Sequence, residues 1–330
     1  MNNFGRLFKI QIFGESHGAG VGVIIDGCPA GLRITESDLM SEISRRKSGK
    51  IGTTARTESD LPEILSGILN ECTTGSPISI VFKNQDIRSE SYQAVRDIPR
   101  PGHADFVADR KFSGFNDIRG GGHFSGRLTL GLVAAGAIAK KLIEPTMINA
   151  KILEIGGEAD FEKIIEKAQA EGDSVGGLIE CRIQGVPVGL GEPFFDSVES
   201  LISHLIFSIP GIKSIEFGSG FQAAKLRGSA HNDLFIDKNG TTSTNNAGGI
   251  NGGITNGNDI IFRVAVKPTS SISKSQHTLN FATGEPTELS ILGRHDACIA
   301  LRAPVIVEAV AAIVLADLFL LEQKIARRTE

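Results

Sequence analysis

The 330-residue chain carries 34 Lys and Arg against 38 Asp and Glu, a formal net charge of −4, with 41% hydrophobic residues. That balance excludes an intrinsically disordered chain and argues against a broad cationic nucleic-acid surface, so any anion site must be a local cluster of Arg and Lys. Eighteen Phe with no Trp and a single Tyr, Tyr92, also argue against an aromatic base-stacking platform.

The amino terminus, MNNFGRLFKIQIFGES, has no long apolar run ending in a cleavage site and reads as no secretory signal. Short β-branched runs predict strands over residues 7–13 and 22–26. Thr35-Glu-Ser-Asp38 resembles a capping box and opens a helix to about Arg46. A strand follows over 78–83, then an Ala-rich apolar helix over 128–143 that stops before Pro145. Residues 160–170 form an amphipathic helix with Phe161, Ile164 and Ile165 on one side, followed by a strand over 178–183. Asp196, with Glu199 three residues on, starts a helix that ends before Pro210. Strands over 212–217 and 260–266 precede the longest helix, opened by Pro304 and closed by the cationic Lys324, Arg327 and Arg328.

The apolar stretch 303–321 contains Glu308 and Asp317. A charge at a bilayer centre costs about 2.5–3.5 kcal/mol even on a lenient scale, so a buried helix is expected and no membrane partner. Strands and helices do not alternate, which disfavours a doubly wound sheet and favours an α+β fold of antiparallel sheets flanking apolar helices. No Pro- or Ser-rich linker divides residues 1–330, so one domain is expected. Cys28, Cys72, Cys181 and Cys298 form no CxxC pair, which supports neither a zinc knuckle nor a disulfide framework and suits a reducing cytoplasm. No metal is expected.

The 39 glycines, about one residue in eight against a usual ~7%, gather at 14–31, 120–126, 185–191, 218–228 and 248–257. Such clusters mark tight turns or backbone brought close to a ligand. There is no GxxxxGK[ST]. Gly218-Ser-Gly-Phe-Gln-Ala223 fits GxGxxA, but the sequence after it makes a poor helix, and a turn in a sheet is the better reading. Four of the seven histidines sit in polar segments rich in Gly or Arg: GESHG (His17), RPGHAD (His103), GGGHFSGR (His123) and GRHD (His295). Imidazole titrates near neutrality and can pass a proton during turnover. His204 and His277 read as an ordinary helix residue and a loop residue, and His231 is left open. Arg45, Arg46, Arg100, Arg127, Arg294 and Arg302 lie in or near these segments. Their planar guanidinium groups bind carboxylate and phosphate bidentately. From the residues alone, the chain is an enzyme that moves protons on a small, multiply anionic substrate.

These segments closely resemble chorismate synthase. The resemblance runs through GESHGAGVGVIIDGCPAG, RPGHAD, GGGHFSGR, GVPVGLGEP, NAGGINGGI, KPTSSI and GRHDACIALRAPVIVEA, in the family's order and over most of the chain. It implies a compact sandwich of two antiparallel sheets around central helices, assembled as a homotetramer. The implied activity is the anti-1,4-elimination of phosphate from 5-enolpyruvylshikimate-3-phosphate to give chorismate, with reduced FMN required although no net oxidation occurs. His17 would be the acid for the leaving phosphate, His103 would serve the reduced flavin, and Asp296 would be the carboxylate near flavin N5. Family flavin positions fall on Lys267-Pro268-Thr269-Ser270-Ser271, Pro210, Gly211, Gly252 and Arg294, with His123 and Ser125 from the Gly-rich segment. Ser16, Arg45, Arg100, Arg127 and Arg302 are the substrate candidates, and Arg46 falls where the family contacts NADP. No reductase domain is recognisable, so reduced flavin is expected from an external reductase, with NADPH indirect at most.

The family's GGGRSSARE reads GGGHFSGRL here, placing His123, Phe124, Gly126 and Leu128 where Arg, Ser, Ala and Glu are usual. RRxPG reads Arg45-Arg-Lys-Ser-Gly49, with Gly52 near the place of a further Arg. The region 148–173 is shorter than usual and reads as a trimmed surface insertion. Two other readings are a flavoprotein with altered substrate choice, motivated by His123 and Phe124, and a non-catalytic flavin- or anion-binding relative. Joint retention of His17, His103 and Asp296 disfavours the latter, because binding alone needs no proton-transfer set.

Overall fold

The structure, a computed structural model, describes residues 2–49, 51–54, 56, 58–86, 96–291, 293 and 295–324. Two antiparallel sheets face a central layer of helices. In the first sheet the strands run β1 (Asn3–Phe4), β2 (Lys9–Gly14), β3 (Gly20–Asp26), β7 (Ile78–Lys83) and β4 (Glu63–Ser66), all neighbours antiparallel. A two-residue hairpin, β5 (Ile68–Leu69) with β6 (Cys72–Thr73), lies between β4 and β7 in sequence. The alternating period of β7 puts Ile78, Ile80 and Phe82 fully inside. The second sheet runs β10 (Ile212–Phe217), β13 (Ile260–Val266), β9 (Gly177–Gln184) and β8 (Met147–Ile155), again antiparallel. There Ile260, Phe262, Val264 and Val266 point inward, while Arg263 pairs with Glu216 at 2.8 Å on the other face.

Between the sheets lie α3 (Thr129–Leu142), packed on β3, and α7 (Ala303–Lys324), packed on β8 and β9. Both are apolar on nearly every side, which suits helices covered all round. They cross where Gly136 meets Ala309: a Cβ on Gly136 would stand 2.3 Å from that of Ala309. One connected apolar core runs through both sheets and these helices. The fold is therefore α+β, with antiparallel sheets flanking central helices.

The two acids in α7 are buried but satisfied. Asp317 accepts the backbone N–H groups of Arg6, Leu7 and Phe8 at 2.7–3.1 Å and fixes the entry to the first sheet. Glu308 accepts Arg45, Lys140 and the N–H of Ala150 at 2.6–2.9 Å. The helix is long and apolar enough to cross a membrane, and it lies inside the protein.

Around this frame, α1 (Glu36–Arg46) starts on the expected capping box, with Thr35 and Asp38 exchanging hydrogen bonds. The amphipathic α4 is Glu162–Ala170. On α5 (Val198–Ile206) the cap is Ser197, not Asp196, whose carboxylate is turned away to Arg6 at 2.6 Å. Neither α2 (Asp105–Phe112) nor β8 was expected from the sequence. The GxGxxA segment forms 3-10 turns over Gly220–Lys225 after β10, as a turn should, with the short α6 (Gly228–His231) beyond. Two hairpins complete the described chain: β11 (Ile250–Asn251) with β12 (Ile254–Thr255), and β14 (Gln276–Leu279) with β15 (Pro286–Leu289). His277 lies on β14 rather than in a loop, opposite Glu288. Arg327 and Arg328, expected to close α7, lie outside the described residues.

Candidate active site

A cleft of about 1210 Å³ opens where the ends of α1, α3, α5 and α7 meet the loops after β2, β7 and β13. Seven Arg and Lys side chains line it against four Asp and Glu among the described residues, a local positive surplus in a protein of net charge −4. Five of the seven histidines line it too, including His204 of α5, which also meets Phe4 edge-on. His204 is thus a helix residue as expected, but one on the cleft wall.

The Gly-rich segment shapes one wall. Gly120, Gly121 and Gly122 all have positive φ (59°, 81° and 52°), a run that side-chain-bearing residues rarely adopt. This brings backbone against imidazole: a Cβ on Gly120 would stand 2.5 Å from the His17 ring, and one on Gly121 would stand 3.5 Å from His103 Nε2. Ser16 and His17 are buried. Arg56 donates to the Ser16 hydroxyl at 3.0 Å and is held in turn by Glu58 at 2.7 Å. Burial lowers the His17 pKa below its ordinary value, as do the charges of Arg56 and Arg119, with Asp117 and Glu58 opposing. His17 is therefore mostly neutral at pH 7 in the ligand-free protein.

A second group of charges forms the floor. Arg46, at the last turn of α1, donates to Thr129 and to the Gly126 carbonyl, both at 2.9 Å. Arg127 pairs with Asp60 at 2.8 Å, and Arg302 donates to the Arg46 carbonyl at 2.9 Å and faces Asp296 at 3.4 Å. Burial, then the charge of Arg302, push the Arg46 guanidinium down to about 9. It remains a cation at neutral pH, in a place where a bound anion would relieve it. Asp296 also accepts the N–H of Thr54 at 2.9 Å.

At the other side, Arg100 and His103 converge on the buried Asp105. Arg100 reaches Ser271 at 3.0 Å, and Lys267 and Ser270 both donate to the Gly102 carbonyl, so the KPTSS loop is tied to the RPGH turn. An apolar wall of Leu128, Leu132, Leu205, Ile209 and Ile299 faces these polar groups.

The cleft thus brings together Ser16, His17, Arg46, Arg100, His103, His123, Ser125, Arg127, Pro210, Gly211, the 267–271 loop, Asp296 and Arg302. Two sequence candidates lie elsewhere. Arg45 turns its guanidinium to Glu308 and Glu42, and Gly252 occupies the β11–β12 turn with φ 61°. Arg294 is outside the described residues. His123 sits with Nδ1 2.8 Å from the Gly14 carbonyl, which makes that nitrogen a donor, and with Nε2 3.2 Å from Asn2. Phe124 stacks obliquely with Phe112 of α2 at 6.3 Å between centroids. Sequence reading missed Arg56, Glu58 and Asp60, which lie in an irregular stretch whose only signal was its dense charge.

A cleft lined by imidazoles, clustered guanidiniums and an apolar wall, on an α+β sandwich, has the make-up of an enzyme's site for a small anion. The profile of the chorismate synthase family matches residues 8–320. Curated relatives named chorismate synthase include that of Chitinophaga pinensis, 60% identical over 98% of both chains. Another, from Dehalococcoides mccartyi, is 49% identical over 97% of this chain and 96% of the relative. A solved structure titled "Crystal Structure of Chorismate Synthase" is similar with a TM-score of 0.74 at 26% identity, covering 97% of this chain and 93% of that one. The chain belongs to the chorismate synthase family and is a lyase.

Proposed function

We propose that the chain eliminates phosphate from 5-enolpyruvylshikimate-3-phosphate to form chorismate, and that it requires reduced FMN. The observation that carries this reading is the convergence of GESHG, RPGHAD, GGGHFSGR, KPTSS and the Asp296 segment, scattered along the sequence, on one cleft. Its size supports two ligands: about 1210 Å³ exceeds the roughly 300–1,000 Å³ usual for one small molecule. The residues present fit a flavin. The apolar wall from α3, α5 and Ile299 suits an aromatic ring system, Lys267, Ser270 and Ser125 offer a cation and hydroxyls to its polar groups, and His123 lines the same cleft. When bound, reduced FMN supplies electron density that assists cleavage of an allylic C–O bond.

The chain's own part is binding, orientation and proton control. Arg46, Arg127 and Arg302, with Arg100 across the cleft, hold the carboxylates and phosphate, a task their forked guanidiniums suit. The ion pairs of Arg127 with Asp60 and of Arg302 with Asp296 keep these two aligned before ligand arrives. His17, packed on Gly120 beside Ser16, gives its proton to the departing phosphate oxygen. The bound phosphate dianion favours the imidazolium and offsets the burial that keeps His17 neutral beforehand. Such positioned acids are worth roughly 10²–10⁴ in rate. His103 and Asp296 serve the flavin side. Arg46 doubles as the position the family uses for NADP, and reduced flavin comes from an external reductase.

The reading extends to one domain, a cytoplasmic setting and a homotetramer. Four separate free thiols suit that setting. Exposed Phe194, Phe195, Phe221 and Phe235 are the kind of apolar surface a second copy would cover. The deciding experiment is an anaerobic assay with dithionite-reduced FMN and the enolpyruvyl substrate, following chorismate absorbance and phosphate release. Stoichiometric appearance of both is expected. Flavin binding without affinity for this substrate would overturn the reading.

A further inference from the structure

One carboxylate beside the cleft collects four donors, and no step above uses it. Asp105 opens α2 and is buried. Its Oδ2 accepts Arg100 Nε at 2.7 Å and the Arg100 backbone N–H at 3.1 Å. Its Oδ1 accepts the Arg100 terminal nitrogen at 2.8 Å and lies 2.6 Å from His103 Nδ1. Burial alone would make this carboxyl harder to ionise, but the Arg100 and His103 hydrogen bonds outweigh it and hold Asp105 well below the usual carboxylate range. An ionised carboxylate only accepts, so the hydrogen of the short contact must sit on Nδ1. Arg100 also stands 3.1 Å from Nδ1 and has only hydrogens to offer there. Its Nε and one terminal nitrogen also hold Asp105, and its other terminal nitrogen holds Ser271, so it braces the carboxylate, whose short contact with the ring requires the hydrogen on Nδ1. Nε2 is left on the edge beside Gly121, where the absence of a side chain keeps room open.

We propose that Asp105 is a positioning residue for the lyase reaction: it fixes His103 as the Nδ1–H tautomer, so that Nε2 is the nitrogen that exchanges a proton with bound ligand. The inference rests on the assignment of His103 to the active site. Its chemistry is that of other histidines whose second nitrogen is set by a carboxylate.

The test reads the tautomer directly. Nitrogen-15 NMR of the ring nitrogens, assigned by comparison with His103→Ala, should show His103 with Nδ1 protonated in the neutral ring. In Asp105→Asn the amide can point its NH₂ at Nδ1, and the signal should move toward the Nε2–H form. For Asp105→Asn, kcat should fall about 10- to 100-fold, the range typical of lost orienting partners, with KM for substrate within about threefold. In a His103→Ala background the same substitution should cost nothing further in kcat. A merely structural Asp105, acting through Arg100, would show its full loss in that background as well. An Nε2–H wild-type ring, or additive losses, would overturn the proposal. If the wild-type protein turns over no substrate, the functional reading fails, while the nitrogen spectra still decide the tautomer.

Discussion

Neighbouring residues can have unrelated roles, and Arg45 and Arg46 show why. A helix turns about 100° per residue, so at the end of α1 one guanidinium enters the cleft while the other meets Glu308 in the helix layer. Spacing alone could not separate them, because the sequence does not say which side of α1 the cleft lies on. The histidines were easier to read, since imidazole among glycines has few structural uses; all four singled out line the cleft. At this scale the most telling residue is His17. Its pKa is lowered in the free protein, so a phosphate dianion bound beside it, as proposed above, would raise it and draw in a proton. Calorimetry of substrate binding near pH 7 in buffers of different ionisation enthalpy should therefore show proton uptake, lost in His17→Ala. That variant should keep FMN affinity yet lose roughly 10²–10⁴ in kcat. Uptake unchanged in His17→Ala would assign the proton elsewhere. Gly120→Ala should mimic the loss, because its methyl would fall 2.5 Å from the imidazole at a positive φ.

Elements followed from the sequence where a β-branched run or a cap marked them. β7, β10 and β13 lie within the residues their β-branched runs marked, and α1 begins on its capping box. β8 is an edge strand whose pairing slips between Ile152 and Glu154, and its isoleucines, Ile148, Ile152 and Ile155, stand too far apart to form a β-branched run. α2 is unmarked as well. Exposed Phe106 and Val107 beside buried Asp105 and Ala108 do not make an ordinary amphipathic face. What holds the elements in register is partly ionic. Glu308 ties α7 to α1, α3 and β8 through Arg45, Lys140 and Ala150. Glu308→Ala should destabilise the fold by roughly 3 kcal/mol, the low end for breaking a buried pair, because the half-exposed Arg45 can rehydrate. Burial alone would raise the Glu308 pKa, but Arg45 and Lys140 bring it below 4.5, so its contribution is complete above about that pH and lost as the medium acidifies through the folded value. Urea titrations at pH 7 and pH 4 would measure both. A wild-type-like midpoint in Glu308→Ala at pH 7 would show the network to be neutral.

The whole molecule joins these scales at the cleft, which no single element builds. Its walls come from the first 20 residues, from both central helices, and from loops near 100, 125, 210 and 270. An anionic ligand there would touch several of these segments at once and neutralise a positive surplus that folding has had to bring together. Ligand should therefore stabilise the native state as a whole. Occupancy at 100 times Kd adds about 2.7 kcal/mol. For 330 residues at about 2.1 cal/mol/K each, the melting entropy is about 0.7 kcal/mol/K, so Tm should rise about 4 °C. The 5-enolpyruvylshikimate-3-phosphate substrate, added with oxidised FMN to prevent turnover, should give that shift in differential scanning calorimetry, and Arg127→Ala should show markedly less at the same concentration. Removing Arg127 also strands the buried Asp60, so the variant's ligand-free Tm must be compared first and only the ligand increment read. An undiminished increment in Arg127→Ala would place the substrate anions away from this floor.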